Sequence, residues 1–384
     1  MPDVLLDTLL DHFADLDDPR RETANRRHEF TDILMIALCA VIGGANHWTA
    51  VATFGRAKES WFRSFLNLPN GIPSHDTFSD VFARIDPKQF EACFIEWVAS
   101  IAPGILDGVV AVDGKTLRRS HDRANGGRAS HLVSAFSTGD SLVLGQLGIE
   151  GKSNEITAIP LLLGLLELKG ALVTIDAMGC QKEIARRIKE KKADYLLSVK
   201  ENQPSLCEGI GDAFLDTDRE RVKARFTDYA EQSNAGHGRS ERRRCWVSGD
   251  RELIEALGAE WAGLSSIVVI ESDRQVKGKR STQDRQYFIS SRAESAEYFL
   301  GARRAHWQIE NGLHWILDVA FREDESRVRK GDGAENVSVL RRMAVNLLKG
   351  EKTEKGGVEA KRSRAGWDDD YMKTVLARFA NEGR

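Results

Sequence analysis

Two aspartates stand at the ends of apolar, β-branched runs: Asp113 in GVVAVDGK and Asp176 in ALVTIDAMGCQ. A third carboxylate, Glu310, lies far downstream in AHWQIENGLHW, within a helical pattern. A charge at the end of a buried strand is a costly placement, which asks for a reason. Carboxylate oxygens are hard donors suited to Mg²⁺ or Mn²⁺, which bind through a few carboxylates together with substrate phosphates. Two such ions about 3.5–4 Å apart activate an attacking oxygen and stabilise a leaving one. An aspartate on one strand can bridge both ions if a neighbouring strand and a helix each add a carboxylate. The plainer reading makes Asp113 and Asp176 turn or capping residues, since Gly114 and Gly179 follow them.

The helix bearing Glu310 can be read by angle. At about 100° per residue, Trp307, Glu310, Asn311, His314, Asp318 and Phe321 share one side. Ile309, Leu313, Ile316 and Ala320 share the other, predicted to pack on the core. Glu310 is then free to face a cleft. His306, Glu310 and His314 are spaced four apart, but HExxH is absent, so a zinc helix is not supported. His314 reads as a packing or supporting residue. Asp318 reads either as a further charge near the site or as a surface group.

Other signals are weaker. GKT at 114–116 is not a P-loop, because Val109 occupies the position of the required first glycine. Lys115 and Arg118 either approach a phosphate near Asp113 or form a solvated basic turn. Arg239, Arg242, Arg243 and Arg244, with Lys277, Lys279, Arg280 and Arg285, form basic clusters that suit DNA phosphates. Trp246 beside them could stack on a base, although a core tryptophan is the simpler reading. Arg303 and Arg304, one to two turns before Glu310, are candidates for holding a DNA strand. Lys152, Ser153, Asn154 and Glu155 precede an apolar helix and carry N-cap chemistry.

These residues need a scaffold. Residues 1–102 read as helical and net acidic, with Leu5, Leu9 and Phe13 at helical spacing and a helix start at Pro73–Thr77. Pro103-Gly104 marks a boundary. From 107 the order is β-β-β-α-β-α-β, with a turn at Thr138-Gly139-Asp140, which predicts an α/β fold. Residues 201–298 read as a β-rich insertion with a helix near 251–258. The chain is helical again from 299 to 349, with a polar interruption near 323–333. The segment 350–384 reads as a charged, loosely ordered tail.

Length and composition set outer limits. The 384 residues suggest two or three domains. With 55 Lys+Arg against 58 Asp+Glu, polyanion binding must come from local clusters. The five cysteines are scattered and contain no CxxC pair, so neither a disulfide framework nor a cysteine zinc site is supported. The longest apolar run, Ile33–Ala45, is short of the roughly 20 residues of a membrane span. The N-terminus lacks a basic start like that of a signal peptide, so a soluble, cytoplasmic protein is expected.

The stretches AVDGKTLRRS, GKSNEITAIP, VTIDAMGCQKEIA, DYLLSVKENQP, HGRSERR and HWQIENGLHWILDVAFREDESR resemble the H-repeat-associated branch of the DDE transposases of bacterial insertion sequences. The resemblance covers nearly the whole chain. It implies an all-α N-terminal transposase-associated domain (1–102) and an RNase H-like catalytic domain (103–349) with its β-rich insertion before the glutamate's helix. It also implies that Asp113, Asp176 and Glu310 bind two Mg²⁺ or Mn²⁺ ions, Asp113 bridging. The expected activity is cleavage at the element's terminal inverted repeats and transfer of the 3′-hydroxyl into target DNA, by a homodimer on double-stranded DNA near the nucleoid. Related enzymes surround the glutamate with Tyr-x2-Arg-x3-Glu-x6-Lys. Here those positions hold Arg303, His306, Glu310 and Leu317, which leaves a hairpin intermediate open. The rivals are an RNase H-like nuclease without strand transfer and a domesticated transposase that only binds DNA.

Overall fold

A computed structural model describes residues 11–22, 26–102, 108–121, 129–149, 154–236, 239–277 and 281–379. The readings at Leu5, Leu9, Pro103-Gly104, Lys152, Ser153, Lys279 and Arg280 lie outside these residues, as does the Arg239 side chain. The chain divides into two compact units, Gly104–Asp113 with Glu155–Ile309, and Met1–Pro103 with Gly114–Asn154 and Glu310–Arg384. Strand β1 (Val109–Thr116) gives its first five residues to the former and its last three to the latter.

In the first unit β1 is followed by β4 (Leu172–Ile175), β5 (Asp194–Val199), β9 (Thr282–Ser290), β8 (Ser266–Val276), β7 (Arg239–Ser248) and β6 (Asp228–Gly236), in that spatial order. β1, β4 and β5 are parallel and the rest antiparallel. All of LVTI in β4 is buried, as expected of an interior parallel strand covered on both faces. Helix α6 is Glu155–Leu165, and α7 (Lys182–Glu190) crosses from β4 to β5 with Ile184, Ala185 and Ile188 inward. The core gathers Leu172, Leu196, Val268, Phe288, Phe299 and Leu300.

The strands expected between 201 and 298 are present, and β9 pairs with β5, so they continue the same sheet. The sequence reading missed α8 (Pro204–Leu215) and α9 (Arg219–Arg225). Their start signals are local: Pro204 in the first turn of α8, and the Asp218 carboxylate capping α9. The expected helix near 251–258 is α10 (Arg251–Gly258), capped by Asp250. Helix α11 (Ala296–His306) closes the unit.

In the other unit, the described regular structure before residue 102 is helical: α1 (Phe30–Ile42), α2 (Trp48–Ala57), α3 (Glu59–Phe62), α4 (His75–Phe82) and α5 (Pro87–Ile101). Helix α1 is apolar all round and buried along nearly its whole length, as a central helix must be. The hairpin of β2 (His131–Ser137) and β3 (Leu142–Gly148) packs on α5. After Glu310 come α12 (Trp315–Val319), α13 (Gly333–Gly350), α14 (Val358–Trp367) and α15 (Asp369–Leu376). Helix α13 packs on α1, α5 and β3, so the N-terminal helices share their core with later elements and do not stand apart at residue 102.

The segment after Gly350 is a correction. It was expected to be loosely ordered, yet α14 and α15 pack on α13 and bury Lys361, Arg362, Tyr371 and Met372. The charges that suggested disorder are used as internal donors. Arg362 donates to Val41 O (2.8 Å) and to Ala320 O, and Lys361 donates to Leu348 O (3.1 Å). No described helix is long and apolar enough to cross a membrane.

Candidate active site

The register of β1 on β4 runs from Val109 opposite Leu172 to Val112 opposite Ile175. Asp113 is the next residue of β1, which runs on to Thr116, and Asp176 is the first residue after β4, so the two acids come side by side on neighbouring parallel strands. Strands so paired lie about 4.8 Å apart, so two carboxylates can share a cation there. β4 stops because Asp176 caps a three-residue 3₁₀ turn, Ala177–Gly179, its Oδ1 accepting from Met178 N at 3.1 Å. The turn folds tightly over β4. A Cβ at Gly179 would lie 2.2 Å from Ile175 Cγ2, so only glycine fits without displacement. The capping role and a metal role are compatible, since a carboxylate has several acceptor positions. Asp113 is half-buried and Asp176 exposed.

Within the same unit α11 brings the chain toward Glu310. Ser295 Oγ caps it, and Phe299 and Leu300 bury against the sheet. Near its end His306 Nδ1 shares a 2.9 Å hydrogen bond with Thr174 Oγ1, two residues before Asp176. The sequence reading did not single out Thr174; a hydroxyl inside an apolar strand was its only signal. Arg303 donates to Gln286 Oε1 (2.9 Å) and lies over the Trp307 ring at 5.2 Å. Burial, aided by the nearby Arg243 charge, lowers its pKa to about 10, so it remains cationic near neutral pH. Arg304 is exposed.

Glu310 opens a π-helical turn, Glu310–His314, before α12. Ile309, Leu313 and Ala320 are buried as the angular reading expects, but the wider turn shifts the register after it and brings His314 and Phe321 inside as well. His314, Leu317 and Phe321 are buried, whereas Trp315 is 60% exposed. His314 Nδ1 lies 3.5 Å from Glu310 Oε2. Lys349 Nζ donates to Gly312 O at 2.9 Å and sits 4.8 Å from the centre of the Phe136 ring. Burial brings the Lys349 pKa down to about 8. Leu317 packs where related enzymes carry lysine.

Several basic candidates are already engaged. Lys115 is buried and donates to Asp318 at 2.6 and 2.8 Å, which replaces both earlier readings of Lys115 and decides the role of Asp318. Arg118 is exposed and pairs with Asp324 at 3.0 Å. On the sheet, Arg242 forks onto Glu231 (2.7 Å), Arg243 meets Glu241 (2.7 Å), and Arg244 reaches Asp273 (2.8 Å) and Glu271 (3.1 Å). The basic run therefore meets acidic partners within the sheet, and much of its field is cancelled locally. Trp246 is partly buried and packs against Phe214 and the exposed Tyr229.

An edge lined by aspartate oxygens fits a hard divalent cation better than a soft or redox metal. The fold is a mixed α/β sheet with two acidic groups side by side on neighbouring parallel strands. The sequence pattern of the Transposase DDE domain matches residues 105–347, and the DDE_Tnp_1-associated pattern matches residues 10–98. The chain belongs to the DDE transposase family.

Similar proteins agree with that placement. The chain is 43% identical over 381 residues to "Putative transposase YncI" of Escherichia coli O157:H7, covering 98% of this chain and 96% of that protein. It is 39% identical over 375 residues to "H repeat-associated putative transposase YhhI" of Escherichia coli K12, covering 97% of this chain and 98% of the relative. Among solved structures, a piggyBac transposase synaptic complex with hairpin DNA gives a TM-score of 0.46 at 12% identity, over 98% of this chain and 81% of that one. That likeness is too slight to build on.

Proposed function

We propose that the protein cuts DNA at the terminal repeats of its own element and joins the freed end to target DNA, with Asp113, Asp176 and Glu310 holding divalent metal. The observation that carries this reading is the in-register placement of Asp113 on β1 beside Asp176 just after β4, in a chain of the DDE transposase family. Support for Glu310 as the third ligand is that it follows by four residues His306, which is bonded to Thr174 of β4. Two Mg²⁺ or Mn²⁺ ions, when bound, would supply charge stabilisation for the attacking and leaving oxygens. The chain's own part is to hold the carboxylates in place and to orient the DNA. In the first step a water oxygen bonds to phosphorus and the bond to the element's 3′-oxygen breaks, leaving a 3′-hydroxyl. That hydroxyl then displaces a 3′-oxygen in the target strand.

Arg303 and Arg304 precede Glu310 and are the best-placed cations to contact the DNA strand; Arg118 is exposed but would have to leave Asp324 to do so. The guanidiniums of Arg242, Arg243 and Arg244 would have to leave their carboxylate partners to do so, and Lys115 is committed to Asp318. Arg239 remains a candidate from sequence. A dimer on DNA follows from the need to join two ends, and the same substrate implies action at the nucleoid.

The test is incubation of the full chain with a DNA fragment bearing the element's ends, a supercoiled target and Mg²⁺ or Mn²⁺. Cleaved ends and joined products are expected. Asp113→Asn, Asp176→Asn and Glu310→Gln should each lower cleavage by about 10³-fold or more while leaving DNA binding in place. Cleavage without joined products would favour a nuclease. Binding without metal-dependent cleavage would leave a DNA-binding protein only.

A further inference from the structure

The third parallel strand, β5, ends on the same edge as β1 and β4 and is followed by the polar run KENQP at 200–204. Two of its amides reach back to the turn behind Asp176. Asn202 Nδ2 donates to Ala177 O at 2.6 Å, and Gln203 Nε2 donates to Cys180 O at 2.9 Å. Gln181 Nε2 adds a bond to Met178 O at 3.3 Å. Gln203 N closes its own turn on Lys200 O at 2.9 Å, and Pro204 starts α8 directly after it, so both amides are presented from a short, fixed segment.

A three-residue 3₁₀ turn has little stiffness of its own. Its backbone bonds are Gly179 N to Asp176 O and Cys180 N to Ala177 O, each 3.1 Å, and Gln181 N to Gly179 O at 2.9 Å, beside the cap from Met178 N to Asp176 Oδ1. Asp176 itself is exposed, so packing does little to fix its carboxylate. The two outside amides grip carbonyls at the first residue of the turn and just beyond its last. Asn202 is exposed as well, so its removal costs little packing; what changes is the position of the turn.

We infer that Asn202 and Gln203 are positioning residues that set the Asp176 carboxylate for a divalent cation and thereby tune how tightly the site takes Mg²⁺ or Mn²⁺. This rests on the reading of Asp176 as a metal ligand. Groups that orient a ligand from behind change metal affinity by about 10–100-fold when removed. The route is β5 to turn to carboxylate, with no contact between either amide and DNA required.

The experiment titrates the full chain with Mn²⁺ alone, following free Mn²⁺ by electron paramagnetic resonance, and reads amide hydrogen exchange at Met178 and Gly179. Asn202→Ala and Gln203→Ala should each weaken Mn²⁺ binding about 10-fold and speed exchange at those amides, with melting temperature unchanged. Unchanged Mn²⁺ affinity in both variants, with Asp176→Asn abolishing binding, overturns the inference and leaves the metal reading intact. Unchanged affinity in Asp176→Asn overturns both. Should Asn202→Ala fail to fold, the isosteric Asn202→Asp, which cannot donate, carries the same measurement with the same two outcomes.

Discussion

Glu91 shows how a buried acid acts through protonation. It is 2% exposed, and Gln146 Nε2 donates to it at 3.3 Å. Burial, reinforced by the Glu335 charge, raises its pKa from 4.5 to about 8. The folded protein keeps a proton that the unfolded chain releases above about 4.5, so this group's contribution to stability falls as pH rises from there to about 8. Glu91→Gln is isosteric and stays neutral. It should raise the melting temperature by a few degrees near pH 8 and by little near pH 5, read by differential scanning calorimetry at both values. Asp113 and Asp176 stood out in the sequence because each carboxylate ends a β-branched run, and the capping reading also holds for Asp176. Lys115 was not, because its partners Asp318 and Asp324 lie some 200 positions away and no local pattern marks such a pair.

At the scale of elements, the turn after β4 and the π turn before α12 do the positioning. Gly179→Ala would press a methyl group into Ile175, so the turn must shift and carry Asp176 with it. Metal-dependent cleavage should fall by about 10-fold or more while the melting temperature moves by only a few degrees, measured with the DNA assay and thermal denaturation on the same sample. Sequence periodicity marked the helix of Glu310 but assumed 3.6 residues per turn throughout. One wider turn rotates the following side chains, which is why Phe321 and His314 are inside and Trp315 is outside. The two helices at 204–225 escaped for a related reason: they are short, and their start signals sit within a stretch whose strands dominated the pattern.

At the scale of the whole molecule, the C-terminal segment is the largest departure from expectation. Arg362 serves the carbonyls of Val41 and Ala320 and lies 4.0 Å from the centre of the Phe321 ring. Replacing it with alanine leaves those acceptors unmet in a buried place, so Arg362→Ala should cost about 2–4 kcal/mol in denaturant unfolding. A chain ending at Lys352 should lose its cooperative melting transition altogether, whereas a loose tail would leave the transition where it was. Sequence by itself determined the α/β order of elements, the family and the three acidic candidates, because alternation, helical spacing and chain order are local properties. Tertiary structure alone decided that Asp113 and Asp176 come side by side on paired strands, that Lys115 and the sheet arginines are neutralised internally, and that a charged terminus is core. Each of those outcomes depends on which distant groups meet, and a charge becomes solvent-facing or structural only when its partner arrives.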